Sequence, residues 1–212
     1  MANKVNIDTS KLHPYVRFKL NNFLKKCEEK KQYVIITCGY RSAKEQDELY
    51  RQGRSKPGNI VTNAKGGYSQ HNWGVAFDIA MNHDVDGDKK VTDDTWNLKG
   101  FKSVAKLAKS VGLSWGGDWK SFKDNPHFYY SKWGDTTKKL RKKYGTFTEF
   151  KKTWTGTVKC NTYLRKGKSF TSKVKLTIPK GKKVEICYKS KAGYALVYYD
   201  GQSGYIRTKN LK

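Results

Sequence analysis

Three residues at suggestive spacing carry the chemistry legible in this chain. Only four histidines occur in 212 residues, and two stand in unusual company: His71 in SQHNWGVAFD and His127 in DNPHFYY. Taken singly, either would read as an ordinary surface or core histidine, so the argument rests on the combination. His71 and Asp78 lie seven positions apart. On a straight strand that spacing puts them on opposite faces, and on a straight helix about 10 Å apart, so neither geometry lets them share an ion. Shared ligation demands a fold-back between them, and Gly74 sits where a turn or close approach requires it. His71 then enters from a loop and Asp78 from a strand, while His127 supplies a third donor. His, Asp, His is an N/O set suited to zinc with one position open for water, which is the mark of a catalytic metal. Pro126 drives Asn125 into extended geometry, so Asp124 can lie near the metal's water without ligating it, as a general base. Asp118 in GGDW is a rival for that role, though it reads equally well as a turn residue.

The elements that must position these residues follow from local patterns. Leu12, Val16, Leu20, Phe23, Leu24 and Cys27 recur at helical spacing, which predicts an amphipathic helix starting near Pro14, with Phe18 off the stripe. YVIITCGY (33–40) predicts a strand, and RSAKEQDELYRQG (41–53) a helix with Ser42 as N-cap and Glu45 as its capping-box partner. Residues 54–67 hold three glycines and a proline among polar residues and read as a loop bordering the active site. GVAFDIA (74–80) predicts a strand, 101–113 a helix ending near Gly112, and HFYY (127–130) a short strand. DTTKKLRKKYGTFTEFKK is charged without a clear buried face, and reads as a partly helical connection. From Gly156 the texture changes to short alternating segments between turn residues, which predicts a small all-β domain of about five strands. Two domains are expected, 1–150 and 151–212.

The motif SxHxxGxAxD (Ser69, His71, Gly74, Ala76, Asp78), preceded by GYRS (39–42) and followed by DNPH (124–127), resembles the zinc D-alanyl-D-alanine carboxypeptidases and L-alanyl-D-glutamate endopeptidases. The likeness spans residues 33–130 and implies their hedgehog-like α+β fold. It also implies His71, Asp78 and His127 as zinc ligands, Asp124 as acid/base, Arg41 as the group polarising the scissile carbonyl, and Ser69 as a substrate contact. Without the other motifs, Arg41 would read as a salt-bridge residue at a helix start. The family often carries Glu where this chain has Asp124, a departure that favours L-alanyl-D-glutamate specificity. Residues 156–211, with GQSGYIRTKNL near their end, resemble bacterial SH3-like domains, which implies a small barrel binding wall peptides or associated polymers. Tyr163, Tyr188, Tyr194, Tyr198 and Tyr199 line either a groove there or the barrel core.

Composition bounds the partners. A hydrophobic content of 36 % with 14 % aromatics excludes a disordered chain despite the net charge of +26. That charge calls for a polyanion: nucleic acid, anionic lipid or the phosphate-rich polymers of a Gram-positive wall. Residues 155–212 hold fourteen Lys and Arg against Glu185 and Asp200, a net of +12. Asp84, Asp86 and Asp88 alternate around Gly87 like part of a calcium loop without its full spacing, so a solvated acidic turn competes with a Ca²⁺ site; His83 beside them is a bystander. Cys27, Cys38, Cys160 and Cys187 form no CxxC pair and read as buried free thiols. Neither a secretory leader nor a membrane span is visible. The expectation is a monomeric phage-type endolysin acting on peptidoglycan and anionic wall polymers, held in the host cytoplasm until holin-dependent release, with no specific nucleic-acid partner. Two alternatives stand beside it: a D-alanyl-D-alanine carboxypeptidase of the same fold, and a non-enzymatic polyanion-binding protein.

Overall fold

The computed structural model describes residues 1–212. After a short strand β1 (Lys4–Val5), helix α1 spans Pro14–Glu29. Pro14 occupies the first helical position, where a missing N–H leaves nothing unpaired. The preceding His13 caps the helix, its Nδ1 accepting from the Tyr15 N–H at 3.1 Å. The predicted stripe is the buried face: Leu12, Val16, Leu20, Phe23 and Cys27 are fully enclosed, each large side chain stabilising the fold by roughly 1.5–3 kcal/mol. The sheet beneath is built from β2 (Val34–Cys38), β3 (Ala76–Met81), β4 (Ser114–Trp115) and β5 (His127–Tyr129). Its order is β1-β2-β3-β5-β4, with β1 parallel to β2 and every other pair antiparallel. Helix α2 (Ala43–Arg51) carries the full Ser42/Glu45 capping box, and α3 (Leu98–Ser110) is capped by Asn97.

The charged run 135–152 is partly helical, as its reading has it, but it does not lack a buried face. It forms two short helices, α4 (Lys138–Tyr144) and α5 (Phe147–Lys152), which bury Leu140 and Phe150 in the first core. With roughly one apolar anchor per helix among lysines, no periodic stripe marks them in the sequence. Phe150, Trp133 and Trp154 close around the His13 ring, with centroids 4.9–5.6 Å away, so the first core runs on through Trp154.

A second sheet follows, of six strands: β6 (Thr155–Thr157), β7 (Thr162–Arg165), β8 (Val174–Ile178), β9 (Lys183–Lys189), β10 (Tyr194–Tyr199) and β11 (Gln202–Arg207). The order is β6-β9-β10-β11-β7-β8, antiparallel throughout, and β6 does not pair with β8, so the sheet is open. Its inner face encloses Leu164, Ile178, Val184, Val197 and Ile206. The outer face receives α1. Tyr15 and Phe18 pack against Cys187, Leu196 and Tyr198, which explains why Phe18 lies off the first stripe. Arg17 pairs with Glu185 and lies 4.3 Å from the Tyr198 ring centroid.

The cysteines divide. Cys27 and Cys187 are buried, but Cys38 is half-buried and Cys160 exposed, which corrects the expectation of four core thiols. Cys160 falls in the turn between β6 and β7 rather than on a strand, and Cys38 ends β2 beside the histidines. No helix is long and apolar enough to cross a membrane.

Candidate active site

A 3-10 turn over Gln70–Trp73 supplies the fold-back that shared ligation requires. Ser69 caps it, its Oγ accepting from the His71 N–H at 3.3 Å, and Asn72 Oδ1 accepts from Ser69 N at 3.2 Å and from Gly67 N at 2.9 Å. Asn72 Nδ2 also donates to the Arg41 carbonyl at 2.8 Å, tying the turn to the start of α2. Gly74 ends the turn with φ +62°, and a Cβ there would lie 2.4 Å from the Lys11 carbonyl oxygen. Only glycine meets both demands. Sheet register does the rest: Cys38, Asp78 and His127 are successive partners across β2, β3 and β5.

Three donor atoms converge. His71 Nε2 and Asp78 Oδ1 are 3.2 Å apart, His127 Nδ1 and Asp78 Oδ1 3.1 Å, and the two ring nitrogens 3.2 Å. Tetrahedral ligands about 2.0–2.1 Å from zinc are separated from one another by about 3.3 Å, so the triangle has the dimensions of one face of a zinc site. The histidine tautomers suit it as well. His71 Nδ1 lies 2.7 Å from the Gly39 carbonyl and His127 Nε2 lies 2.8 Å from Gln70 Oε1. Each of those oxygens accepts, so each outer nitrogen carries a proton and the inner one is the nitrogen that would ligate, on His71 by giving up the proton that Asp78 stabilises there. Cys38, His71 and Asp78 also bring one donor atom each within 4.8 Å of one another. The set with His127 is tighter, and Cys38 Sγ faces the wrong side of His71, 3.6 Å from the Nδ1 that Gly39 engages.

Burial opposes charge on His71, Asp78 and Asp124, and their neighbours overcome it unequally. With no metal, the Asp78 carboxylate lifts His71 to about 10, and the two histidines hold Asp78 well below the usual carboxylate range. Asp124 goes the other way: burial raises it and the Asp78 charge adds to the shift, against the two histidines. Asp124, Arg41, Tyr68 and Trp119 line the cleft over the triangle, a cavity of about 550 Å³. The 54–67 loop borders it through Val61, Thr62 and Ala64, as its composition implies.

Arg41 donates from Nη1 to Gln46 Oε1 at 2.9 Å and from Nη2 to Cys38 Sγ at 3.1 Å. It forms no salt bridge, so the ordinary ion pair at a helix start is not what holds it. Asp118 pairs with Lys109 Nζ at 2.6 Å and stands outside the cleft. The Ser69 hydroxyl lines the cleft while serving as the turn's cap. The carboxylates of Asp84, Asp86 and Asp88 cluster, but each accepts from backbone N–H groups of its own loop, such as Gly87 to Asp84 at 2.6 Å. The loop's own amides thus account for the cluster, and nothing there supports calcium. His83 bonds the Tyr33 carbonyl at 2.9 Å, as a bystander would. Gln70, Asn72 and the Gly39 carbonyl escaped the sequence reading: Gln70 and Asn72 are neutral amides whose roles exist only once the turn has folded. A larger cavity of about 800 Å³ lies elsewhere, between α1 and the second sheet around Arg17 and Glu185.

Fold and site together define a class: an α+β protein whose sheet and adjoining turn present a His, Asp, His donor triangle at the floor of an open cleft. The family model described as D-alanyl-D-alanine carboxypeptidase matches residues 62–130, which contain all three donors. The chain is 44 % identical over 127 residues to the peptidoglycan L-alanyl-D-glutamate endopeptidase CwlK of Bacillus subtilis (strain 168), covering 56 % of this chain and 72 % of that relative. It therefore belongs to this family of peptidases. The L-alanyl-D-glutamate peptidase of Listeria phage A118 is 58 % identical over 41 residues, a match spanning 18 % of this chain and 14 % of that protein. Among solved structures, the Serratia marcescens L-Ala D-Glu endopeptidase ChiX matches with a TM-score of 0.43 and 22 % identity, over 57 % of this chain and 82 % of that one.

Proposed function

We propose that this protein is a zinc-dependent peptidoglycan hydrolase that cleaves the L-alanyl-D-glutamate bond of stem peptides. The observation that carries the reading is the donor triangle of His71, Asp78 and His127, with edges of 3.1–3.2 Å. The names of two curated relatives, an L-alanyl-D-glutamate endopeptidase and an L-alanyl-D-glutamate peptidase, support the choice of bond. His71, Asp78 and His127 would hold zinc, which when bound would supply Lewis acidity and lower the pKa of water at the site toward neutrality. Asp124 accepts the proton of the attacking water and returns it to the leaving amine. In the metal-free protein burial raises its pKa, which keeps its carboxyl within reach of both protonation states. Arg41, with two of its five donors engaged and no carboxylate to neutralise it, directs the rest at the carbonyl oxygen as negative charge develops. Gln70 and the Gly39 carbonyl hold the two histidines in the ligating tautomer. Ser69 acts first through the turn it caps, and contacts substrate second.

Residues 151–212 serve in this reading as an SH3-like wall-binding module that concentrates the peptidase at its polymeric substrate. Six short antiparallel strands and the GQSGYIRTKNL segment support that role, as does the net charge of +12 over residues 155–212. The whole chain acts as a monomeric, phage-type lysin. Incubation with a soluble disaccharide pentapeptide, which still holds the D-alanyl-D-alanine bond, read by mass spectrometry, tests the bond. A glycan fragment ending in L-alanine and a tetrapeptide with a new amino-terminal D-glutamate are expected. Free D-alanine as the sole product would move the assignment to the carboxypeptidase.

A further inference from the structure

The outer face of the second sheet is continuous across β9, β10, β11 and β7, and only half of it is covered. Over β9 and β10 it receives Tyr15 and Phe18 of α1. Over β11 and β7 a groove of about 260 Å³ stays open, lined by Tyr163, Arg165, Phe170, Arg207 and Lys209. Tyr205 of β11 and Arg165 of β7 are register partners, so the groove carries on from the docked half.

Two large rings stand in water there: Tyr163 is 52 % and Phe170 69 % exposed. The Arg165 guanidinium lies close to both, 5.3 Å and 5.0 Å from their centroids. Cation–π attraction at these distances restrains the side chain. One donor, Nη1, is committed to the Ser172 carbonyl at 2.8 Å, which leaves most of the five-donor fork free. No acid lines the groove. The only two acids of residues 155–212, Glu185 and Asp200, line the cavity on the α1 side instead.

We propose that this groove binds a repeating phosphodiester anion, the polyol-phosphate polymer of a Gram-positive wall, with Arg165 as the central contact. A planar guanidinium engages phosphate oxygens through two parallel hydrogen bonds, which a lysine point charge does not reproduce. Arg207 and Lys209 extend the positive track along the groove, and the exposed rings offer apolar surface to the polyol carbons between phosphates. The proposal rests on reading residues 151–212 as a wall-binding module, and gives that module a ligand.

The test is co-sedimentation of the full chain with purified Gram-positive walls, before and after hydrofluoric acid removes their phosphate polymers. Stripping should weaken binding by about tenfold or more. Arg165→Ala should weaken binding to intact walls about tenfold, Arg165→Lys should recover only part of it, and Lys106→Ala should change little. Lys106, exposed on α3, matches the charge lost. Equal binding to stripped walls would overturn the proposal in favour of a peptide or glycan ligand. Equal weakening by Arg165→Ala and Lys106→Ala would overturn it in favour of diffuse charge, and so would displacement by a single-stranded oligonucleotide as effective as by the polymer. Each protein is assayed in parallel on the soluble muropeptide, which needs no wall contact. Cleavage there with failed polymer binding sinks the groove alone, whereas no cleavage by the unaltered chain sinks the peptidase reading.

Discussion

His127 Nδ1 stands 3.1 Å from Asp78 Oδ1 because the two residues are register partners on adjacent antiparallel strands. Two of the three donors are thus fixed by backbone hydrogen bonding, and only His71 depends on a turn. A one-residue slip of β5 against β3 would turn His127 to the other face of the sheet and dismantle the site, so the catalytic geometry and the sheet register are specified together.

The His127 partner Gln70 sets how tightly metal is held. Gln70→Ala removes the acceptor that fixes the tautomer and should weaken zinc affinity about 10–100-fold, read by competition with a chromogenic chelator. Gln70→Glu keeps an acceptor at the same reach and should restore most of the affinity. Unchanged affinity in Gln70→Ala would show that packing alone orients the ring.

The turn that carries His71 depends on Gly74. Gly74→Ala places a Cβ 2.4 Å from the Lys11 carbonyl at a φ of +62°, and should lower stability by at least about 1–2 kcal/mol, read as a fall in Tm together with reduced zinc retention. A full loss of zinc with an unchanged Tm would mean that the residue acts on the metal site and not on the fold.

Acid should destabilise the protein in part through His13. Burial among Phe150, Trp133 and Trp154 holds its imidazole down to about 3, from 6.5. Between those values the unfolded chain takes up a proton that the folded one refuses. Stability from this residue is therefore present above pH 6.5 and lost as the pH falls, by about 1.4 kcal/mol per unit. His13→Asn keeps a capping acceptor for α1 and removes the titration, so its stability should fall less steeply from pH 6.5 to 4 in urea unfolding. Parallel slopes would rule His13 out.

Much of this was legible in the sequence. The α1 stripe, the Ser42/Glu45 capping box and the need for a fold-back at Gly74 are local patterns, set by spacing and by backbone conformation. The loop over 54–67 follows from its composition, whereas the trio of His71, Asp78 and His127 spans distant segments and was legible through the three motifs that carry the resemblance. What escaped depends on contacts between distant segments. Leu140 and Phe150 anchor α4 and α5 singly, below any periodic signal. Phe18 looked misplaced until the second sheet supplied a face for it. Gln70 and the Gly39 carbonyl gain their roles only from histidines 57 and 32 positions away, and the β-type neighbours of Cys38 hide that β2 ends beside the cleft.

Asp124 bears directly on the central claim, and one set of samples tests it: zinc content and muropeptide cleavage measured together, across pH. The unaltered protein should carry one zinc, lose it and its activity to a chelator, and regain both on adding zinc. Because the base acts when deprotonated, kcat/KM should fall as decreasing pH protonates Asp124. Asp124→Asn should keep its zinc and lose turnover by about 10²–10⁴-fold. Cleavage by Asp124→Asn at the unaltered rate, or by the fully zinc-free protein, would contradict the account.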